Sequence, residues 1–87
     1  MNYVQVKLTE IGEGYVQYQS VGAFLTIGKT EFLLDSELID AENPERDVEI
    51  INDFCAKWEI LCNENNMKIE FDEDVDQLII ELNVEIE

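Results

Sequence analysis

The chain contains no histidine, one proline, four glycines and only five basic residues in 87. Without histidine it lacks the one side chain whose ordinary pKa suits proton transfer at neutral pH. Ser20 and Ser36 are its only serines, and neither lies in a nucleophile elbow or beside a plausible base. Arg46 and the four lysines form no phosphate cradle, and neither a GxGxxG nor a Walker sequence is present. These gaps point to a protein that is not an enzyme and needs no cofactor. No apolar run approaches the roughly 18 residues that a membrane span requires. The opening Met1-Asn2-Tyr3-Val4-Gln5 has neither the basic region nor the apolar run of a signal peptide.

Cysteine is scarce too. Cys55 and Cys62 are seven residues apart on one expected helix. Two turns separate their Cα atoms by about 10.5 Å, whereas a disulfide needs less than about 7 Å. They read as buried free thiols, inert on an apolar face, which suits a reducing, cytoplasmic setting.

Acid is abundant. Asp and Glu number 21, for a net charge of −16, against a hydrophobic content of 46% that can still build a core. Residues 1–44 hold 7 acids and 2 bases; residues 45–87 hold 14 acids and 3 bases. Such a charge opposes compaction and repels nucleic acid and anionic lipid, so an electrostatically chosen partner is itself basic. At this length one domain, residues 1–87, is expected.

Alternation of Val4, Val6 and Leu8 with Tyr3, Gln5 and Lys7 predicts a half-buried strand. Gly12 and Gly14 mark a turn, and Tyr15–Gln19 alternates again. Gly22 interrupts, Ala23–Ile27 reads as a third strand, Gly28-Lys29-Thr30 as a turn and Glu31–Leu34 as a fourth strand. Residues 35–43 read as a polar connection. Asn43-Pro44-Glu45 is a helix start, with Asn43 as cap, Pro44 in the first turn, and Glu45 and Asp47 on the positive end of the dipole. The helix is expected from about residue 44 to 63, with Val48, Ile51, Phe54, Cys55, Trp58, Leu61 and Cys62 on its apolar face. Met67, Ile69 and Phe71 predict a fifth strand. Leu78, Ile80, Leu82, Val84 and Ile86 alternate with Glu81, Asn83, Glu85 and Glu87, which predicts a sixth. The expected fold is α+β: a mainly antiparallel sheet of about six strands, ββββ-α-ββ, with one amphipathic helix packed on one face.

The acids fall in three expected places. Glu45, Glu49 and Asp53 line the outer helix face at i, i+4 and i+8; Asp72, Glu73, Asp74 and Asp76 form a loop; Glu81, Glu85 and Glu87 form the outer row of the last strand. Along a strand, same-face residues recur every 6.6–6.8 Å or so, a spacing on the order of that between neighbouring backbone phosphates, since DNA carries about one charge per 3.4 Å of axis per strand. These ten residues are the expected partner-binding set. Asp72, Asp74 and Asp76 also match positions 1, 3 and 5 of a calcium loop, but Gln77 stands where glycine belongs and Asn83 where glutamate belongs, so no metal site is expected.

In size, acidity and compact α+β layout the chain resembles the small phage-borne inhibitors that mimic DNA, among them anti-CRISPR and anti-restriction proteins. The resemblance covers the whole chain as composition and architecture and transfers no motif residue. It implies occlusion of a nucleic-acid site on a basic target, such as a PAM-reading groove or guide–target channel, in the cytosol of an infected cell. Two other readings fit the same acidity: an immunity or antitoxin-like protein that caps a basic toxin, and an interaction module of a larger assembly. None involves direct contact with nucleic acid or a membrane, and the sequence leaves the oligomeric state open.

Overall fold

The computed structural model of the chain describes residues 2–11, 18–39 and 43–86. The expected Gly12–Gly14 turn, the start of the Tyr15–Gln19 strand, residues 40–42 of the expected connection and Glu87 lie outside the described residues.

The elements run β1 (Tyr3–Ile11), β2 (Tyr18–Ile27), β3 (Thr30–Ile39), α1 (Pro44–Glu64), β4 (Lys68–Phe71) and α2 (Glu73–Ile86). The sheet has four strands in the order β3-β2-β1-β4. β2 is antiparallel to both β1 and β3, and β4 is parallel to β1. This corrects the expectation of about six antiparallel strands with one helix: the sheet is mixed, with four strands and two helices.

Three local causes account for the difference. First, Gly22 does not break β2. It pairs in register with Lys7 and Ser36, and the Phe24 ring lies over it, so that an added Cβ would stand 2.8 Å from Phe24 Cε2. Second, β3 runs on to Ile39, because a register shift at Ala23/Phe24 absorbs one extra residue and lets Asp35–Ile39 keep pairing. The β2–β3 hairpin closes through Gly28, whose φ of 62° is the left-handed geometry of a primed two-residue turn.

Third, the last segment is a helix. Leu78, Ile80, Leu82, Val84 and Ile86 alternate as a strand would, yet Val75, Leu78, Ile79, Leu82 and Ile86 also follow the 3–4 spacing of a helix. The start decides between them. Asp72 accepts the Asp74 N–H on Oδ1 at 3.2 Å and the Val75 N–H on its carbonyl at 3.1 Å, with acids at Glu73, Asp74 and Asp76 in the first turn. That is an N-cap followed by a dipole-matched turn. Val75 and Leu82 are buried, while Ile80 and Val84 face solvent. Among the described residues, the expected sixth strand is therefore replaced by α2.

α1 begins as its sequence implies, with Asn43 Oδ1 accepting the Arg46 N–H at 3.2 Å. It ends sharply at left-handed Asn66 (φ 54°), where the Met67 N–H returns to the Cys62 carbonyl at 2.8 Å. That reversal sends the chain straight into β4, and the Asp72 N–H continues the β1–β4 pairing to the Val6 carbonyl at 2.9 Å.

Both helices pack on one face of the sheet. Val4 and Val6 of β1, Val21 and Ala23 of β2, Ile39 of β3, Ile51, Phe54 and Cys62 of α1 and Val75 and Leu82 of α2 form one buried cluster. Among the described residues no element covers the opposite face, which carries Tyr3, Gln5, Lys7, Phe24, Leu33, Ser36, Leu38, Lys68 and Glu70 by register. Gln19 lies on the helical side opposite Ile39. Among the described residues no helix is long and apolar enough to cross a membrane.

Candidate acidic interface

The acids of α1 and α2 belong to one layer because both helices occupy the same sheet face. Glu45, Glu49 and Asp53 are exposed along α1 as expected, about 6 Å apart along the axis. Glu73, Asp74 and Asp76 are exposed, but on the first turn of α2 rather than in a loop, and Asp72 is the half-buried cap residue. Glu81 and Glu85 are exposed one helical turn apart on α2. The expected strand row of Glu81, Asn83, Glu85 and Glu87 is therefore corrected. On a helix Asn83 points away from Glu81, and Glu87 falls outside the described residues.

The seam between the helices brings Asp76 of α2 near Glu59 of α1, whereas Asp53 lines the cleft toward Glu37 of β3. Cys55 of α1 sits half-buried there, and its thiol is pushed up to about 11, first by burial and then by the negative charges of Asp76 on α2 and Glu59 on α1. Glu59 escaped sequence reading because a lone glutamate among apolar helix residues looks like ordinary solvation; only the neighbouring helix gives it a like-charged partner. Cys62 is buried and free, its thiol raised by desolvation. Asp47, read from sequence only as a dipole partner, is buried in the first turn of α1.

Of the five bases, Arg46 stands exposed in the first turn of α1, and the other four are elsewhere or already engaged. Lys57 turns off the acidic surface toward β3 and donates to Asp35 Oδ2 at 2.5 Å, and Trp58 Nε1 donates to the same oxygen at 3.3 Å. Lys7 stands on the open sheet face, paired with Glu31 at 2.6 Å and lying 4.6 Å from the Phe24 ring centroid. Lys68 is on that face beside Glu70, and Lys29 is in the hairpin turn. The molecule is thus polarised between an acid-rich helical face and a charge-balanced open sheet face.

Two shallow clefts flank the helical layer. Asp74, Gln77 and Glu81 of α2 face Leu8 and Gln19 of the sheet, and Gln77 Nε2 donates to Glu81 Oε1 at 3.4 Å. Asp53, Ile50 and Lys57 of α1 face Glu37 of β3. Among the described residues no group of three or more Cys, Asp or Glu side chains is gathered closely enough to hold a metal ion. Asp72, the first residue of the calcium-like run, commits its Oδ1 and its carbonyl oxygen to the helix cap.

No family model, curated protein or solved structure matches the chain.

Proposed function

We propose that the protein is a non-enzymatic inhibitor that lays its acidic helical layer on the basic, nucleic-acid-binding surface of another protein and occludes it, in the manner of anti-restriction and anti-CRISPR proteins. The observation that carries this reading is the placement of Glu45, Glu49, Asp53, Glu73, Asp74, Asp76, Glu81 and Glu85 in a single layer that holds only two bases, Arg46 and the Asp35-paired Lys57, while Lys7 and Lys68 lie on the open sheet face. A solubilising charge needs no such sorting, because scattered acids solubilise equally well. A surface that substitutes for a phosphate backbone does need it, since unbroken negative potential both steers the encounter and matches a Lys/Arg-lined groove. The repeat of about 6 Å along α1 and α2 is on the order of a phosphate repeat. The acids are held on helices, so little ordering cost is left for binding.

The test is competition. The protein is titrated against a nucleic-acid-binding enzyme that it inhibits, with and without that enzyme's DNA, at low and high salt. Binding should weaken with added DNA and with salt, and the joint change Glu49→Gln, Asp53→Gln, Glu81→Gln should weaken it without lowering the melting temperature. Binding indifferent to both DNA and salt would exclude the reading.

A further inference from the structure

The sheet ends unequally. β4 forms one edge with only four residues, two of them charged. β3 forms the other with ten, and every residue but Asp35 and Ile39 is exposed. Phe32 is 49%, Leu33 60%, Leu34 43% and Leu38 54% exposed. A long apolar edge of this kind is a template for another strand. The apolar residues project to both faces: Leu33 and Leu38 lie on the open side, while Phe32 pairs opposite Leu25 on the helical side. A ligand lying flat on one face would cover only half of them, whereas a strand added at the edge brings side chains to both.

The edge keeps little unpaired charge: of its three acids, Glu31 is held by Lys7 and Asp35 by Lys57, while Glu37 stays exposed with Asp53 of α1 across a cleft. β3 is separated by β2 from β1, the strand that α2 packs on, so the α2 acids lie far from it. An apolar cleft of about 290 Å³ opens between α1 and the sheet, lined by Val4, Leu25, Trp58, Leu61 and Met67 and reached from β3 by Leu34, and offers a socket for an incoming side chain. With two of its three acids paired, this edge repels a second copy less than the acid-lined surface of α2 does.

We infer that β3 pairs antiparallel with β3 of a second copy of this chain, making a continuous eight-stranded sheet. A strand of ten residues is about 33 Å long on a molecule 17 Å thick. Two such faces offer at most about 1,100 Å² to bury, on the order of the ~1,000 Å² that a specific interface needs. The two-fold axis of an antiparallel edge pair stands perpendicular to the sheet. Both helical layers therefore face the same way, and the dimer presents the acidic surface twice on one side.

Sedimentation of the full chain from micromolar to near-millimolar concentration, at low and high salt, tests this independently of the acidic-surface reading. Dimerisation should strengthen with salt as screening weakens the repulsion between copies, whereas target binding should weaken. Phe32→Lys with Leu38→Lys should cut self-association by at least about tenfold with an unchanged far-UV spectrum. Val84→Lys, on the exposed apolar side of α2, should leave it intact. Amide exchange in β3 should slow as concentration rises. A monomer at every concentration and salt would overturn the inference. So would a dimer indifferent to the β3 changes, or β3 protection that arises only when a basic target protein is added.

Discussion

Asp35 of β3 and Lys57 of α1 meet at 2.5 Å, and this contact ties the edge strand to the helix laid across the sheet. The Lys57 ammonium, first among the causes, holds the Asp35 carboxyl below its ordinary value near 3.8, with Trp58 and the Ser36 N–H assisting against burial. A carboxylate with a lowered pKa stabilises the fold above its unfolded value and loses that contribution as pH falls through the lowered one. Asp35→Asn should therefore cost about 0.5–1 kcal/mol at neutral pH, as befits a pair whose lysine is half exposed. The gap between variant and parent should begin to narrow near pH 4 and close only once the pH has passed below the lowered folded value. Urea titrations of both proteins at neutral and acid pH measure it; a gap that persists in acid would show that packing, not charge, makes the contact.

The Cys55 thiol runs the other way. Its value, raised from 9.0 to about 11, means that the folded state keeps its proton where the unfolded state does not. Stability from this group is full below about pH 9 and falls between pH 9 and 11. Cys55→Ala should flatten that alkaline slope. Alkylation of the folded protein at pH 8 should be slow, with thiolate on the order of one in a thousand. Joint neutralisation of Asp76 and Glu59 should speed it, and an unchanged rate would mean that those charges do not reach the thiol.

The helical phase of the last segment makes a sharp distinction between neighbours. Leu82 is 6% exposed and Val84 70%. Leu82→Ala should cost about 2–4 kcal/mol by leaving a cavity, and Val84→Ala should stay within about 0.5 kcal/mol. On a strand both would lie on one face and behave alike. Equal losses in chemical denaturation would restore the strand.

Gly22 predicts a coupling across the open sheet face. Gly22→Ala places a methyl 2.8 Å from Phe24 Cε2 and 3.2 Å from Cζ, so the ring must shift and leave the Lys7 ammonium. A loss of about 1 kcal/mol is expected, and Phe24→Leu in the same chain should recover most of it. A double-mutant cycle with no interaction energy would show that the ring does not rest there.

Much of α1 was legible. Asn43, Pro44 and the 3–4 spacing of Ile51, Phe54, Trp58 and Cys62 are local signals, and they place its start, its end and its buried stripe. β1 was legible for the same reason. α2 was not, because one run of residues satisfies a period of two and a period of 3.6 at once, and the Asp72 cap that separates the readings looked like the first residue of an acidic loop. β2 and β3 were divided at Gly22 and cut short at Leu34, because a glycine weakens a strand in isolation but is tolerated where an aromatic ring covers it.

The acidic surface divides along the same line. The sequence by itself determined its size and its concentration in residues 45–87, since charge is a property of composition. It also determined the α1 row, since i and i+4 share a helix face whatever the helix packs on. Tertiary structure alone decided that α2 carries its acids beside α1 rather than across the sheet, that Lys57 and Lys7 leave that surface for Asp35 and Glu31, and that β3 is the exposed edge. Each depends on which side of the sheet a distant segment packs, and that is settled by where the buried faces of both helices find common apolar ground.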